Sequence, residues 1–420
     1  MQPKYYLPLL LVWMLCSSKS PFEDVWGFWG HRRINRLAVF TLPPEMAGFY
    51  KKNLEYITEH AVDPDKRRYA SKFEGSRHYI DIDHWGTYPF PDVPRDWNNA
   101  LRKYAALHVI NPEGDTLQLL GHEVTKEDEE GQLQYIGDNA QVQKILANGL
   151  SGEEYQEFFE EHLSAQYFED TWQLDCQNLK ELLGSDFPCS SAFAIDHLTE
   201  YGIVPYYLPT IQNRLSNALR GRNVAAILRL SAEIGHYIAD AHVPLHTTEN
   251  YNGQLTDQLG IHAFWESRLP ELFADETYDY FVGPADYIAE PKAYYWEIVL
   301  ESHRLLDSVL LIEKDLSKTF PKDRQYCYEE RLGRTIRTQC RDYAEAYHNR
   351  MGGMVERRMQ DAIHAVGSVW YTAWIDAGQP NLMELEKELE EVIAQEERLM
   401  KELNEAYQKG ENKGRSHQNN

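Results

Sequence analysis

The chain has 420 residues, enough for one large domain or two medium ones, and its 43% hydrophobic and 26% charged residues permit a sizeable core. A formal net charge of −24 excludes a broad basic surface for nucleic acid or anionic lipid. It leaves a phosphodiester substrate open, because bound metal ions supply positive charge locally. In chain order, Lys4 followed by the short apolar run 9–16 reads as an export signal over residues 1–20, with Ser17, Ser18 and Ser20 as cleavage surroundings. Such a run is too short to span a bilayer. The product is then periplasmic or secreted; Cys16 offers lipidation instead, although Trp13-Met14-Leu15 makes a poor lipobox. Helices are predicted over 32–40, 45–60 and 97–107, with Pro43-Pro44, Pro91 and Pro94 as punctuation. Residues 109–195 are acidic and rich in turns, and read as an insertion, with a helix over 153–161. Further helices are predicted over 208–220, 224–242, 284–316 and 328–375, the last broken at Gly352-Gly353. Pro380 closes the domain of residues 21–380. Beyond it, 381–420 reads as a charged helical tail with heptad-like apolar positions and a disordered end from Gly410.

After the signal, four cysteines remain, and three pairings are possible; Cys176–Cys189 with Cys327–Cys340 is the most local. None has the spacing of a zinc knuckle. His108, His122, His162, His197, His303, His348 and His364 lack partner spacing and read as structural or exposed residues.

Chemistry concentrates in 236–266. His236 and Asp240 are four apart, and so are His262 and Glu266. On a helix that spacing stacks both side chains on one face. Imidazole with carboxylate suits Zn²⁺. Pro244 should end the first helix near His242, so that His246 returns from the following loop. His236 and Asp240 lie off the centre of the apolar stripe formed by Val224, Ile227, Leu228, Ile234 and Ile238. Upstream, Asp63 precedes a run, His78-Tyr-Ile-Asp81-Ile-Asp83, that is rich in acids.

Trp26, His31, Asp63, His78, His236, Asp240, His246, His262 and Glu266 together resemble, in order and spacing, the zinc-dependent phospholipases C and S1/P1 nucleases. Trp26-x4-His31 is similar to the nuclease opening. His78-Tyr-Ile-Asp-Ile-Asp resembles a phospholipase run, and His236-x3-Asp240-x3-Pro244-x-His246 resembles the family's central motif. The resemblance implies an all-α multi-helix fold, here with the inserted acidic segment and the charged C-terminal helix, and up to three Zn²⁺ ions. Asp63, His78, His236 and Asp240 would hold one ion; His246, His262 and Glu266 a second; Asp240, His31 and the Trp26 backbone a third. Asp63 would orient or deprotonate water. The implied activity is phosphodiester hydrolysis, with a phospholipid or single-stranded nucleic acid as substrate. Glu266 favours phospholipid, as phospholipases place Glu there and nucleases Asp. A zinc-stabilised binding protein without turnover is the reading from a different class. Two departures stand out. Residues 22–25 precede Trp26, which puts the third site in doubt, and the 109–195 insertion can reshape the cleft. His242, between ligands, reads as a residue that supports them.

Overall fold

A computed structural model describes residues 28–388 apart from 148, 168–170, 185–186 and 332–333, together with Lys401 and Glu405. The export signal, Trp26 and most of the charged tail lie outside the described residues.

Helix Val224–Ala241 is the axis of the fold. Asn223 caps it by accepting the Ala226 N–H at 3.1 Å, a contact worth about 1 kcal/mol. The helix is buried on every side from Leu230 to Ala241. It packs against helices Val204–Arg220, Met354–Asp376 and Phe28–Ala38. The last of these crossings is close, because Gly235 faces Asn35: a Cβ on Gly235 would lie 2.0 Å from Asn35 Oδ1. Asn35 in turn donates to the Ala232 carbonyl at 2.9 Å. Helix Pro291–Thr319 covers the segment Pro244–Thr247 that follows. No helix among the described residues is long and apolar enough to cross a membrane.

The all-α expectation needs correction. Helix predominates, but the acidic insertion is built on a four-stranded antiparallel sheet in the order Thr116–Leu120, Ala105–Ile110, Ser191–Asp196, Trp172–Leu174. Its Leu107, Val109, Trp172 and Ala194 join the same apolar core as Ile34 and Ile234. The helix predicted over 97–107 therefore stops at Tyr104, while the one over 153–161 is present as Gly152–His162 with a Ser151/Glu154 capping box. A second correction falls in the helix predicted over 328–375. Its first part is a β-hairpin, Tyr326–Arg331 against Arg334–Gln339; the helices are Arg341–Arg350 and Met354–Asp376. The two most local disulfides are formed, Cys176–Cys189 and Cys327–Cys340, the second joining the ends of this hairpin. At the start of the tail, Leu382–Glu388 is a 3-10 helix whose Leu382 and Leu385 are buried.

Candidate metal centre

The axial helix ends at Ala241 with His242 as its cap, as Pro244 requires, and a short 3-10 turn, Pro244–Thr247, brings His246 back toward Asp240. His236 and Asp240 project from the last turns of the helix. The Gly235–Asn35 crossing carries His31, one turn before Asn35, onto His236; the rings stack with centroids 3.9 Å apart. Residues 78–80 are clamped to the His246 segment from both directions. His246 Nδ1 donates to the His78 carbonyl at 2.6 Å, and the Ile80 N–H donates to the His246 carbonyl at 2.9 Å. His262 and Glu266 lie where a short α-turn runs into a π-helical stretch, Phe264–Arg268, rather than on a regular α-helix. Such irregular turns recur at functional sites. Here it sets His262 Nε2 2.7 Å from Glu266 Oε2.

Three groups result, the first two sharing His236, in each of which the donor atoms lie within 4.8 Å of one another: His31, His236 and Asp240; Asp65, His78 and His236; and His246, His262 and Glu266. Asp240 spans the first two. Its Oδ2 lies 2.8 Å from His78 Nδ1 and 3.2 Å from His236 Nε2, while Oδ1 faces His31 Nε2 at 3.4 Å. His31 also approaches Glu266 Oε1, at 3.7 Å, which links the third group to the rest.

The chemistry of the donors fits metal ions. His236 Nδ1 donates to the Ala61 carbonyl at 2.8 Å, so in the neutral ring Nε2 carries a lone pair. That lone pair meets His78 Nδ1 at 3.0 Å and the carboxylates of Asp240 and Asp65. His246 repeats the arrangement: with Nδ1 committed to the His78 carbonyl, its Nε2 faces His262 Nε2 at 3.0 Å and Glu266 at 3.4 Å. Converging acceptors in a buried space repel unless a cation lies between them. Mixed nitrogen and oxygen donors with pre-oriented imidazoles are the set a divalent transition metal takes.

Electrostatics agree. Burial alone would lower His236, but Asp240 and Asp65 outweigh it and raise the imidazole to about 9. A proton there is the cation the metal-free cluster otherwise lacks. Burial, then the charge of Arg68, lowers His78 to about 4. Burial works against ionising Asp240 and Glu266, yet the facing histidines hold both carboxyls well below their usual range.

His31, His78, His236, Asp240, His246, His262 and Glu266, all expected from the sequence, are brought together. Asp63 is not. Its carboxylate pairs with His60 Nδ1 at 2.6 Å and Lys66 Nζ at 3.4 Å. Asp65 stands at the cluster instead, 3.7 Å from His236 Nε2 and 3.9 Å from His78 Nδ1, with Arg68 bonded to it. The two aspartates lie on one short helix, Asp63–Arg67, two positions apart and so on nearly opposite faces. Spacing to His78 cannot choose between them; the one local hint is that His60 and Lys66 flank Asp63 as ready partners. Sequence reasoning also missed Glu74. It is buried 3.8 Å behind His78 Nε2 and bonded to Arg67, Arg77 and the Tyr237 hydroxyl. Asp83 has an anchoring role, accepting from the Thr248 hydroxyl and the Glu249 N–H. His242 makes no hydrogen bond to a ligand among the described residues; its Nδ1 donates to the Ile238 carbonyl of its own helix. The other histidines set aside from the sequence join none of the three groups.

No family model matches the chain, and no curated protein matches it.

Proposed function

We propose that this protein is an exported zinc-dependent phosphodiester hydrolase of phospholipase C type. The observation that carries the reading is the close arrangement of the three groups: His236 belongs to two of them, Asp240 of the first faces His78 of the second, and His31 of the first approaches Glu266 of the third. Adjacent metal sites of this kind suit a reaction in which an attacking and a leaving oxygen both carry charge. Bound zinc would supply Lewis acidity to the phosphoryl oxygens and to water. Asp65, His78, His236 and Asp240 would hold one ion, His246, His262 and Glu266 another, and His31 with Asp240 a third.

The protein's own residues do the remaining work. Asp65 and Glu266 reach solvent most, at 13% and 16% side-chain exposure against at most 5% for the others, so substrate meets the cluster at these two carboxylates. Asp65 Oδ1 is engaged by Arg68, and Arg68 with the facing histidines holds the carboxyl down to about 2 against burial; it is the residue best placed to orient water as a hydrogen-bond acceptor. Ala61 and the backbone of His78 fix the tautomers of His236 and His246, so their Nε2 atoms stay aimed inward. Ile34, Val243 and Trp265 line a small pocket together with His31 and Glu266, so these two ligands border apolar surface on one side.

The test incubates the zinc-loaded protein with phosphatidylcholine and, separately, with single-stranded DNA. Phosphocholine release is the expected result. Release from DNA alone would make the protein a nuclease of the same chemistry. No hydrolysis of either, nor of an activated phosphodiester, would leave a metal-stabilised binding protein and sink the proposal.

A further inference from the structure

One ring nitrogen of His78 is unaccounted for. The ring is fully buried, and its Nδ1 faces the cluster, 2.8 Å from Asp240 Oδ2 and 3.0 Å from His236 Nε2. Nε2 is buried too, and it has no hydrogen-bond partner among the described residues. A bare polar atom in a closed interior calls for an explanation. Glu74 Oε1 stands 3.8 Å from it, too far for a hydrogen bond. Metal ligation would give this nitrogen a task. A neutral imidazole carries one N–H, and a ligating nitrogen must present its lone pair. With Nδ1 committed to an ion, the proton is on Nε2, where it needs an acceptor. A carboxylate in that position takes the hydrogen bond and makes the ligating nitrogen more basic.

The surroundings of Glu74 hold it ready for this. Its side chain is 2% exposed. Oε2 accepts from Arg77 Nη1 at 2.8 Å and from Arg67 Nε at 3.4 Å, while Oε1 accepts from the Tyr237 hydroxyl. Oε1 thus keeps a second lone pair for His78. The same carboxylate reaches toward Asp65. Arg67 closes the short helix Asp63–Arg67, two residues beyond Asp65, and it is bonded to Glu233 at 2.6 Å and to the Tyr237 hydroxyl at 3.1 Å on the axial helix. Glu74 therefore stands behind two members of one group, facing His78 directly and Asp65 through Arg67. Glu233 supplies the comparison: it is buried and shares the Arg67 partner, but Arg67 is the only ion-pair partner it shows among the described residues.

We propose that Glu74 is a positioning residue of the Asp65, His78 and His236 group: it accepts the His78 Nε2 proton while Nδ1 serves as the ligand, and so fixes the ring and strengthens it. The proposal rests on the metal reading of the cluster and not on the substrate. In Glu74→Gln the amide oxygen is drawn to the two guanidinium groups. The amide NH2 then faces His78 Nε2, donor against donor, and opposes the proton placement that ligation through Nδ1 requires.

The test uses the full chain with Zn²⁺ alone as the probe. Competition against a chromophoric chelator gives the affinity of each equivalent, and native mass spectrometry gives their number. One equivalent should bind about 10- to 100-fold more weakly in Glu74→Gln, with the others unchanged. Glu233→Gln, which disturbs the same Arg67 network, should leave every equivalent at the parent's affinity. Long-range proton–nitrogen NMR on histidine-labelled, zinc-loaded protein adds a readout that a merely structural role would not move. It should show His78 protonated at Nε2, a signal identified by its loss in His78→Gln. That N–H should move upfield in Glu74→Gln and stay in place in Glu233→Gln. Undiminished affinity in Glu74→Gln, equal weakening in the two variants, or a loaded parent with the His78 proton on Nδ1 would each overturn the proposal and leave the metal centre standing. The last of these needs only the parent chain, so it decides the matter even where Glu74→Gln does not fold. A parent that binds no Zn²⁺ would overturn the metal reading and the proposal together.

Discussion

Two aspartates on one turn divide the labour between them: Asp63 is satisfied by His60 and Lys66, and Asp65 by Arg68 and the histidine cluster. Asp65→Asn should therefore lose one metal equivalent and cut kcat/KM on an activated phosphodiester about 100-fold or more. Asp63→Asn should keep its metal and stay within about tenfold of the parent. Metal content by mass spectrometry beside the kinetics separates them; the reverse pattern would return Asp63 to the centre. His236, His246 and His262 were legible from a carboxylate at helical spacing or from Pro244, whereas His31 and His78 were singled out only through the family resemblance. The aspartate was ambiguous because Asp63-Pro-Asp65 offers two carboxylates on one short helix, and only the docking of that helix on the axial one decides which faces inward.

At the scale of elements, the crossing of Phe28–Ala38 over the axial helix sets the position of His31. Gly235→Ala would drive a methyl to 2.0 Å from Asn35 Oδ1. Asn35 is buried and bonded, so the helices must separate, at a cost of about 2 kcal/mol. The stack of His31 on His236 should loosen with them, and the variant should lose metal at the His31 group before the His246 group. An unchanged melting temperature with full metal content would refute this. The sheet supplies a pH test. Asp196, at the end of its strand, accepts the N–H groups of Leu198 and Thr199, yet burial raises its carboxyl to about 6. A folded value above the unfolded one means that stability is lost as pH rises through about 6. Asp196→Asn keeps the acceptor oxygen without the charge. It should gain about 1 kcal/mol at pH 8, discounted for partial exposure, and little near pH 4. The helices were legible from their apolar periodicity and their Pro and Gly boundaries. The sheet was not, since Ala105–Ile110 lacks a clean alternation and its partner strand Ser191–Asp196 lies some eighty residues away. The 326–339 hairpin likewise presents a polar, charged sequence, paired in register over six residues and closed by a disulfide at its ends.

For the molecule as a whole, the buried cluster ties metal binding to stability. It draws ligands from the first helix, the 65–78 segment, the axial helix, the Pro244–Thr247 turn and the short helical segments that carry His262 and Glu266, so a cation there adds a further tie among five parts of the chain. Remove it, and the carboxylates of Asp65, Asp240 and Glu266 remain buried with only protons and Arg68 to balance them. His236 then takes up the proton for which its value of about 9 provides. Because that value lies above the ordinary imidazole value of 6.5, the protonated metal-free protein is fully supported below about pH 6.5 and loses support as pH rises through about 9. The loss is of order 3 kcal/mol if His236 titrates alone. A bound metal ion replaces the proton, so the loaded protein should not share that decline. The gap in melting temperature between loaded and chelated protein should therefore widen steadily from pH 6.5 to 9, and proton release on metal addition should be measurable by calorimetry in buffers of different ionisation enthalpy. A gap that stays flat across this range would mean that His236 is not the proton's resting place and that the metal does not sit between His236 and Asp240.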